Sequence, residues 1–388
     1  MILPSAVVLG MSATGLAIAR SLGPRGIRVY GLDFRTWEVG YKSRWVKTLP
    51  FSRLSPDKRL AERLLEWSRT LEKPPVLFPA GDPYVRFLGE FYGVLKDYFT
   101  FLPGDPAFAG ERILSKENFY RLCQEKGVLI PETFFPQDEE QLFDIEVKFP
   151  VILKPRFSHL ARQVLHGEKV IVVRNKEELV KAWRAYSSRV GGFIVQRLVF
   201  GPEENIWTVA MYVDREGNTA AWLTGQKLRQ YPVDFGSATL FRTKTNEELA
   251  QLAMDVNLRL GLKGIVSHEY KRDPVTGSYY MIEINPRVSL WWGVCKKAGV
   301  DLIWRAYADT VGLPVEPINQ QKDGVVWQYL IRDIAAVGKR KKNLKTSVLK
   351  GLFEPKDVYA VMDVRDPFPG MWCPVQAGIQ AWQILTKK

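Results

Sequence analysis

The segment 264–287 (GIVSHEYKRDPVTGSYYMIEINPR) constrains the fold most, because it concentrates charged side chains on two runs of strand-forming residues. Asp273, Pro274 and Gly277 are turn formers, and the runs on either side are rich in Val, Ile and Tyr. Such a pattern is typical of a β-hairpin with a short loop. We predict two antiparallel strands joined by a loop centred near Thr276.

Alternation along the second strand separates a polar face from an apolar face. Glu283, Asn285 and Arg287 share one face, because successive strand residues point to opposite sides. Ile282 and Ile284 point to the other face. We expect the apolar face to join a core and the polar face to stay open.

The predicted loop also sets the pairing of the two strands. It brings Glu269 opposite Glu283, and directly opposed residues have Cβ atoms only about 4.5–5.5 Å apart. Facing carboxylates repel each other unless a cation lies between them or one of them is protonated. Two carboxylates and the amide oxygen of Asn285 are oxygen ligands of the kind that Mg²⁺ prefers. In the alternative, the hairpin lies in solvent, Glu269 pairs with Lys271 or Arg272, and no ligand binds.

Composition and charge limit the class of protein. The chain has 388 residues, of which 46% are hydrophobic and 25% charged, as is ordinary for a globular protein of two or three domains. Lys and Arg exceed Asp and Glu by 13 (55 against 42), which favours acidic partners such as nucleotide phosphates or an anionic membrane surface. A nucleic-acid partner is disfavoured, because the charge is dispersed and no nucleic-acid motif accompanies it.

The cysteines and the N-terminal segment bear on the compartment. Cys123, Cys295 and Cys373 are widely separated and odd in number, so neither a disulfide framework nor a cysteine zinc site is expected. Arg20 interrupts the apolar N-terminal segment, which has no basic region before it, and no apolar run reaches the length of a membrane span. We expect no signal peptide, no transmembrane helix and a cytoplasmic protein, with peripheral membrane contact as an alternative.

The N-terminal part of the chain has the pattern of a parallel sheet. Residues 5–33 alternate as strand, helix and strand, which predicts a βαβ unit, and the pattern continues to about residue 105. Its first turn lacks the G-x-G-x-x-G spacing of a dinucleotide site. The loops that follow its strands, where such sheets bind ligands, lie near Ser12, Asp33 and 81–82.

Two lysines occupy positions that ordinary surface lysines avoid. Lys116 lies in the first turn of a helix predicted over 116–126 after the N-cap Ser115, where the helix dipole prefers an anion. Lys154 ends the apolar strand 150–154, where desolvation is costly unless an anion is near. Both placements suit a phosphate ligand. The alternative for each is a lysine exposed to solvent.

The middle of the chain supplies further polar candidates. Lys227 and Arg229 share one strand face by alternation and are expected to reach the same ligand, or else to be two exposed cations on a sheet edge. The remaining elements predicted before the hairpin are strands at 169–173, 193–198, 206–213 and 219–225 and helices at 176–190 and 246–260.

Taken in order, these parts resemble the ATP-grasp superfamily. The resemblance covers about residues 5–315, and the stretches TGQKLRQYP and FGSATLFRT, with the hairpin, are most similar to the carboxylate-amine ligase branch, which includes D-aspartate ligase-type enzymes. The motifs that carry it are Lys116, Lys154, Q-x-x-x-x-G-x-E-E at 196–204, Gln226-Lys227, and Glu269 with E-x-N-x-R at 283–287.

The resemblance implies an α/β (α+β) chain with the ATP-grasp fold and a Rossmann-like pre-ATP-grasp domain. The domains expected from it are 1–105 (pre-ATP-grasp), 106–190 (first ATP-grasp subdomain), 191–315 (catalytic subdomain) and 316–388 (C-terminal extension). It also implies the site residues. Lys116 and Lys154 would contact ATP phosphates, with Lys154 also near the adenine, and Gln196, Arg197 and Val199 would line the adenine edge. Glu203 or Glu204 would bind the ribose, and Glu269, Glu283 and Asn285 would hold Mg²⁺. Lys227 would lie near the transferred phosphoryl and Arg287 would steady the acyl phosphate, with Arg229 as a further catalytic residue.

The implied activity is an ATP- and Mg²⁺-dependent ligase that activates a carboxylate, expected to be an amino acid, as an acyl phosphate and joins it to an amine. The implied partners are these small substrates, or a nucleotide- or lipid-linked acceptor. The alternatives are a carboxylase of the same fold and a non-catalytic nucleotide-binding regulatory protein.

The chain departs from the family pattern in two places. The segment 156–168 has only Gly167 where relatives often have a glycine-rich loop, and it carries Arg156, His159, Arg162 and His166 instead. Arg197 stands where relatives more often have Glu. Beyond the resemblance, 338–345 (GKRKKNLK) is either a solvated loop or a basic surface for an anionic acceptor or membrane.

Overall fold

The structure is a computed structural model that describes residues 3–156, 164–165, 168–314, 320–339 and 351–386. Its strands form three sheets of five, four and seven strands, so the predicted mixture of α and β structure is confirmed. In the part of the chain so described, no helix is both long enough and apolar enough to cross a membrane.

The first sheet is parallel throughout and has the order β3-β2-β1-β4-β5, which confirms the predicted βαβ unit. Strand β1 is buried on both faces, because Val8 packs against α1 while Val7 and Leu9 pack against α2. The elements are β1 (Ala6–Leu9), α1 (Ala13–Leu22), β2 (Val29–Leu32), β3 (Val46–Thr48), α2 (Lys58–Ser68), β4 (Val76–Pro79), α3 (Asp82–Glu90), α4 (Tyr92–Leu95) and β5 (Thr100–Phe101).

The second sheet has four antiparallel strands in the order β6-β9-β7-β8. Strand β9 lies between β6 and β7, so this sheet continues past the expected boundary at residue 190. The elements of this region are α5 (Pro106–Phe108), α6 (Lys116–Glu125), β6 (Thr133–Phe134), α7 (Glu140–Phe143), β7 (Val151–Pro155), β8 (Ile171–Val173), α8 (Lys176–Val190) and β9 (Phe193–Arg197).

The third sheet has the order β14-β13-β10-β11-β12-β15-β16 and is antiparallel except for its last pair. Two of its strands, β15 and β16, come from the expected C-terminal extension. The elements are β10 (Ile206–Val213), β11 (Thr219–Tyr231), β12 (Ser237–Thr243), α9 (Glu247–Leu260), β13 (Gly264–Arg272), β14 (Tyr279–Asn285), α10 (Gly293–Lys297), α11 (Leu302–Thr310), β15 (Val326–Gln328), α12 (Leu330–Lys339), β16 (Val358–Tyr359) and α13 (Phe368–Thr386).

The opening hairpin is formed by β13 and β14, and Glu269 lies directly opposite Glu283 as predicted. The predicted alternation of side chains between the two faces of β14 is wrong at one position. Tyr270 pairs with Met281, so Ile282 is an extra residue in β14, and it is half-buried while Ile284 is buried. A bulge of this kind re-aims the side chains beside it and ends regular pairing.

One hydrophobic core joins the first sheet to the third. Leu16 of α1 belongs to the same cluster of buried residues as Phe241 of β12, Trp292 and Trp327 of β15. The carboxyl ends of the parallel strands are thereby held next to the large antiparallel sheet. At this junction the segment after β14 meets the segment after β4, where Arg287 contacts Asp82.

Candidate functional site

Helix α6 carries both Lys116 and the tyrosine that contacts Lys154. Lys116 begins α6, whose N-cap Ser115 accepts a hydrogen bond from the amide of Asn118. One turn later, Tyr120 accepts a hydrogen bond from the Lys154 ammonium at 2.6 Å. The Tyr120 hydroxyl also donates to the Ile282 carbonyl at 2.8 Å, at the bulge of β14. Helix α6 therefore connects the lysine of β7 to the acidic hairpin.

The acidic side of the site lies on the third sheet. Lys227 of β11 donates to Glu269 Oε1 at 2.8 Å, and its ammonium also lies 3.3 Å from the Gly236 carbonyl. Lys227 is 3% exposed, so this is a buried ion pair and not a surface contact. The alternative pairing of Glu269 with Lys271 is not seen, because Lys271 donates to the carbonyls of Gly201 and Pro202 instead.

Burial changes the protonation of the two phosphate-binding candidates. It lowers the pKa of Lys116 to about 8, an effect that the neighbouring Lys154 charge increases and Glu283 opposes. Burial also lowers the pKa of Lys154 to about 8, against the opposing charges of Glu283 and Glu269. The carboxylates thus act on these lysines but do not compensate their desolvation. An additional anion beside the lysines would favour their charged forms.

The predicted magnesium ligands are brought together with the lysines. Glu283 is exposed and Asn285 half-buried, at the open edge of β14. No group of three or more His, Cys, Asp and Glu side chains suited to a metal occurs among the described residues. The candidate donors are therefore two carboxylates and one amide oxygen, which suit a hard cation that keeps water and phosphate oxygens as its other ligands. Lys227, bonded to Glu269, already supplies one positive charge there.

Arg287 links the hairpin to the first sheet. Its Nε donates to Asp82 Oδ1 at 2.6 Å, and Asp82 begins α3 at the carboxyl end of β4. The predicted ligand loop at 81–82 and the predicted acyl phosphate residue therefore touch each other. Arg287 is mostly buried while Asp82 is half-exposed. The pair lies at the junction of the first and third sheets.

Arg229 does not share a partner with Lys227. The pairing of β11 with β12 shifts at Leu228, which breaks the alternation on which the shared face was predicted. Arg229 instead makes two hydrogen bonds to Asp333 of α12, from Nε at 2.8 Å and from Nη2 at 2.6 Å. The guanidinium fork of Arg229 is therefore engaged by a carboxylate of the protein, and a contact of both cations with one ligand stays a prediction.

The predicted adenine residues are divided between two faces of β9. Gln196 is buried and donates to the Thr133 hydroxyl at 2.8 Å, and Val199 is buried after the strand ends. Arg197 lies on the other face, with its guanidinium 3.7 Å from Asp273 and 4.8 Å from the ring centre of Tyr280. That face borders an open cleft of about 840 Å³ that contains none of the site's lysines. The Arg197 side chain is thus engaged at the hairpin loop.

The two ribose candidates are among the described residues, whereas most of the segment 156–168 is not. Glu203 is buried and accepts from the Asp234 amide at 3.5 Å, while Glu204 is exposed and its carbonyl accepts from Gln226. Their ribose contact stays a prediction. In the segment 156–168, residues 157–163 and 166–167, with His159, Arg162 and His166, lie outside the described residues. The same is true of 340–345 in the basic run.

Three residues of the site were missed in the sequence. Tyr120 stands four positions after Lys116, a spacing that puts both on one face of a helix, and this signal would have found it. Asp333 left no local signal, because it lies 104 residues from Arg229. Gln230 is 1% exposed, and its side-chain oxygen lies 3.5 Å from the Lys227 ammonium. Its side-chain nitrogen has no hydrogen-bond partner among the described residues.

Comparisons with known proteins agree with this geometry. A family profile described as carbamoyl-phosphate synthase L chain, ATP binding domain, matches residues 116–316, more than half of the chain. The D-aspartate ligase of Enterococcus faecium is 27% identical over 231 residues, which are 55% of this chain and 53% of that ligase. The chain thus spans about half the length of this curated relative.

Solved structures of low identity share the fold. The ADP complex of N5-carboxyaminoimidazole ribonucleotide synthetase superposes with a TM-score of 0.66 at 16% identity, covering 88% of this chain and 86% of that one. The L-amino acid ligase of Bacillus licheniformis gives a TM-score of 0.59 at 16% identity, covering 82% and 77%. The expected fold is confirmed: this chain belongs to the family of the carbamoyl-phosphate synthase L chain ATP-binding domain and, through it, to the ATP-grasp superfamily.

Proposed function

We propose that the protein is an ATP-dependent ligase that activates a carboxylate as an acyl phosphate and joins it to an amine. The observation that carries this is the convergence of Lys116, Lys154 and Lys227 on the facing carboxylates of Glu269 and Glu283. Three ammonium groups near two acidic groups suit a polyphosphate bound together with a divalent cation.

Each lysine has a role that follows from its surroundings. Lys116 and Lys154 bind the nucleotide phosphates, because their desolvated ammonium groups lack sufficient anionic partners in the protein. Lys227 orients Glu269 through the 2.8 Å ion pair, which reaches across β10 from β11 to β13, and its ammonium stabilises the charge that develops on the transferred phosphoryl group. Tyr120 holds Lys154 in place through its hydroxyl.

Glu269, Glu283 and Asn285 would hold magnesium at the hairpin edge. When bound, the metal neutralises phosphate charge as γ-phosphoryl transfer proceeds toward the substrate carboxylate. The residues of the chain contribute positioning and exclusion of water, because the acyl phosphate must meet the amine before it meets solvent.

Arg287 and Asp82 recognise the substrates between the first and third sheets. Arg287 offers a guanidinium for the carboxylate or its acyl phosphate, and Asp82 offers a carboxylate for an ammonium group. Opposite charges side by side suit an amino acid, and the relatives named D-aspartate ligase and L-amino acid ligase support this substrate class. Small-molecule carboxylate and amine substrates are therefore the proposed partners, with a nucleotide- or lipid-linked acceptor as the larger variant.

The second candidate function is a carboxylase, in which bicarbonate is the activated carboxylate. The fold similarity to N5-carboxyaminoimidazole ribonucleotide synthetase favours it. Bicarbonate is smaller than an amino acid and carries no ammonium group, so it would use Arg287 and leave Asp82 without a role. The two candidates differ in which small molecule is needed for phosphate release.

The test is ATP-dependent phosphate release by the full chain, with magnesium, against a panel of amino acids and amines and against bicarbonate. We expect release that needs an amino acid, and loss of at least about a thousandfold in Glu283→Ala, because an electrostatic partner of the transition state is removed. Glu216→Ala is the matched control, since Glu216 is an exposed acid in the turn between β10 and β11.

The outcomes separate the candidates. Release that needs bicarbonate and no amino acid would replace the ligase by the carboxylase. Nucleotide binding without release across the whole panel would favour the regulatory alternative. Full activity in Glu283→Ala would contradict the site itself.

A further inference from the structure

Helix α13 is fixed to the first sheet by specific contacts. The Gln376 side chain accepts from the Val39 amide at 3.1 Å and donates to Glu38 at 2.9 Å, and both side chains are buried. The Trp372 indole donates to the Trp37 carbonyl at 2.9 Å. These contacts therefore fix which face of helix α13 points toward the rest of the chain.

The opposite face of the same helix is apolar and exposed. Phe368 is 61% exposed, Met371 70%, Val375 46% and Trp382 64%. Their spacings of three, four and seven residues put all four on one side of an α-helix. We call these four residues the outer stripe. At 1.5 Å per residue the outer stripe is about 21 Å long.

Basic residues flank helix α13 in the sequence. Residues 368–386 contain no charged side chain, and Lys387 and Lys388 follow in the sequence. Before the helix, the exposed Arg365 lies beside Val364, which is 97% exposed, and one exposed acid, Asp363. Over the whole chain the net charge is +13. A partner that binds the outer stripe should therefore have an apolar interior and an anionic surface.

We propose that the outer stripe docks the protein on an anionic lipid membrane. An amphipathic helix with Trp and Phe on its outer face lies in the membrane plane with its apolar side chains at the headgroup boundary, and nearby cations attract anionic lipids. Helix α13 cannot enter further, because Cys373 and Gln376 on its other face are buried against the protein. The attachment is peripheral and reversible, and it does not depend on the proposed ligase activity.

The test is co-sedimentation of the full chain with vesicles of phosphatidylglycerol and phosphatidylcholine. We expect binding to mixed anionic vesicles, weaker binding to pure phosphatidylcholine, and weakening as salt rises, because screening reduces the attraction of the cations. The triple variant Phe368→Ser/Met371→Ser/Val375→Ser should bind anionic vesicles at least about tenfold more weakly, since three apolar groups no longer leave water.

Two controls keep the result interpretable. Leu258→Ser removes a 75% exposed apolar side chain from α9 and should leave vesicle binding unchanged. Thermal unfolding of the triple variant should match the parent, because the substituted side chains are exposed. Equal vesicle binding by the parent and the triple variant would overturn the proposal. So would a dimer of the parent that the triple variant converts to monomer while neither binds vesicles, because the outer stripe would then be covered by a second copy.

Discussion

Two charged clusters lie only two residues apart on β11 and differ in how their charges are satisfied. At Arg229, the protein completes the cluster itself. Asp333 is fully buried and accepts hydrogen bonds from Arg229, from the Thr239 hydroxyl at 2.8 Å and from the Gln328 amide at 2.8 Å. Burial disfavours its charge, yet these donors hold the pKa of Asp333 below its usual range.

At Lys227, the cluster is left incomplete. Lys116 and Lys154 join it with pKa values lowered to about 8 by burial, and the two glutamates do not restore them. The comparison indicates which buried charges serve the fold and which serve a ligand. Where every group has a partner in the protein, removing one destabilises the fold. Where the anions of the protein do not offset the burial of the cations, removing one cation relieves the ligand-free protein and weakens ligand binding.

Asp333→Ala should give the largest effect on stability. It leaves the Arg229 guanidinium buried without its carboxylate, which typically costs about 3–5 kcal/mol of the free energy of unfolding. Urea denaturation measures it. Replacing both partners, as Arg229→Met with Asp333→Leu, should recover only part of the loss, because no unpaired charge remains but the buried Thr239 hydroxyl loses its acceptor. If Asp333→Ala lowered the free energy of unfolding by less than about 1 kcal/mol, the Arg229–Asp333 cluster would not be one that stabilises the fold.

Lys154→Met should have the opposite sign in the empty protein. It removes a desolvated ammonium group while keeping the side-chain volume, so the free energy of unfolding at pH 7 should rise by about 1–3 kcal/mol. Nucleotide affinity should fall at least about tenfold, since a charge-assisted contact to phosphate is lost. Denaturation and calorimetric titration with ATP and magnesium measure the two effects. Destabilisation comparable to that of Asp333→Ala would remove the contrast between the clusters.

The pH dependence sharpens the same contrast. Because the pKa of both lysines is about 8 in the folded protein and 10.5 ordinarily, the unfolded chain binds more protons between these values. These two lysines therefore make stability increase with pH from about 8 to 10.5. Nucleotide affinity should decrease over the same range, by up to about tenfold per pH unit for each lysine, and binding should take up protons.

Calorimetry in buffers of different ionisation enthalpy measures the proton uptake. The double variant Lys116→Met/Lys154→Met should lose it, while Asp333→Asn should retain it, because Asp333 belongs to the other cluster. Proton uptake that persists in the double variant would assign the titration to other groups.

Local pattern in the sequence predicted the parts of the site that depend on local geometry. The turn at 273–277 was sufficient to pair Glu269 with Glu283, and Ser115 was sufficient to begin the helix at Lys116. The family resemblance predicted the fold. The shifts at Ile282 and Leu228 were not predictable, because an extra residue in a strand is set by packing against its neighbours and leaves the alternation of the sequence unchanged.

Contacts between residues that are distant in the sequence were also not predicted. Asp333 meets Arg229 only because α12 follows β15 back across the third sheet. Arg287 meets Asp82 from 205 residues away, across the junction of two sheets. No pattern within either segment encodes such a contact. The ion pair of Arg229 with Asp333 therefore could not be predicted, and the role of Arg229 toward a ligand stays a prediction.

Tyr120→Phe should give a smaller loss of stability than Asp333→Ala, and it separates packing from electrostatics. The hydroxyl accepts from Lys154 and donates to the Ile282 carbonyl, so its loss should cost about 1–3 kcal/mol of stability. Tyr84→Phe is the matched control, because Tyr84 is a buried tyrosine whose hydroxyl accepts from the Phe34 amide in the first sheet. Both variants should lose similar stability in urea.

Only Tyr120→Phe should move the pH profile of nucleotide binding. Without the hydroxyl as acceptor, the charged form of Lys154 is less favoured, so its pKa falls further and affinity begins to decrease at a lower pH. Titration with ATP and magnesium between pH 7 and 9 measures the shift. If Tyr84→Phe shifted the profile equally, the effect would come from general loosening of the fold. If neither variant shifted it, Lys154 would not be the group whose proton follows the nucleotide.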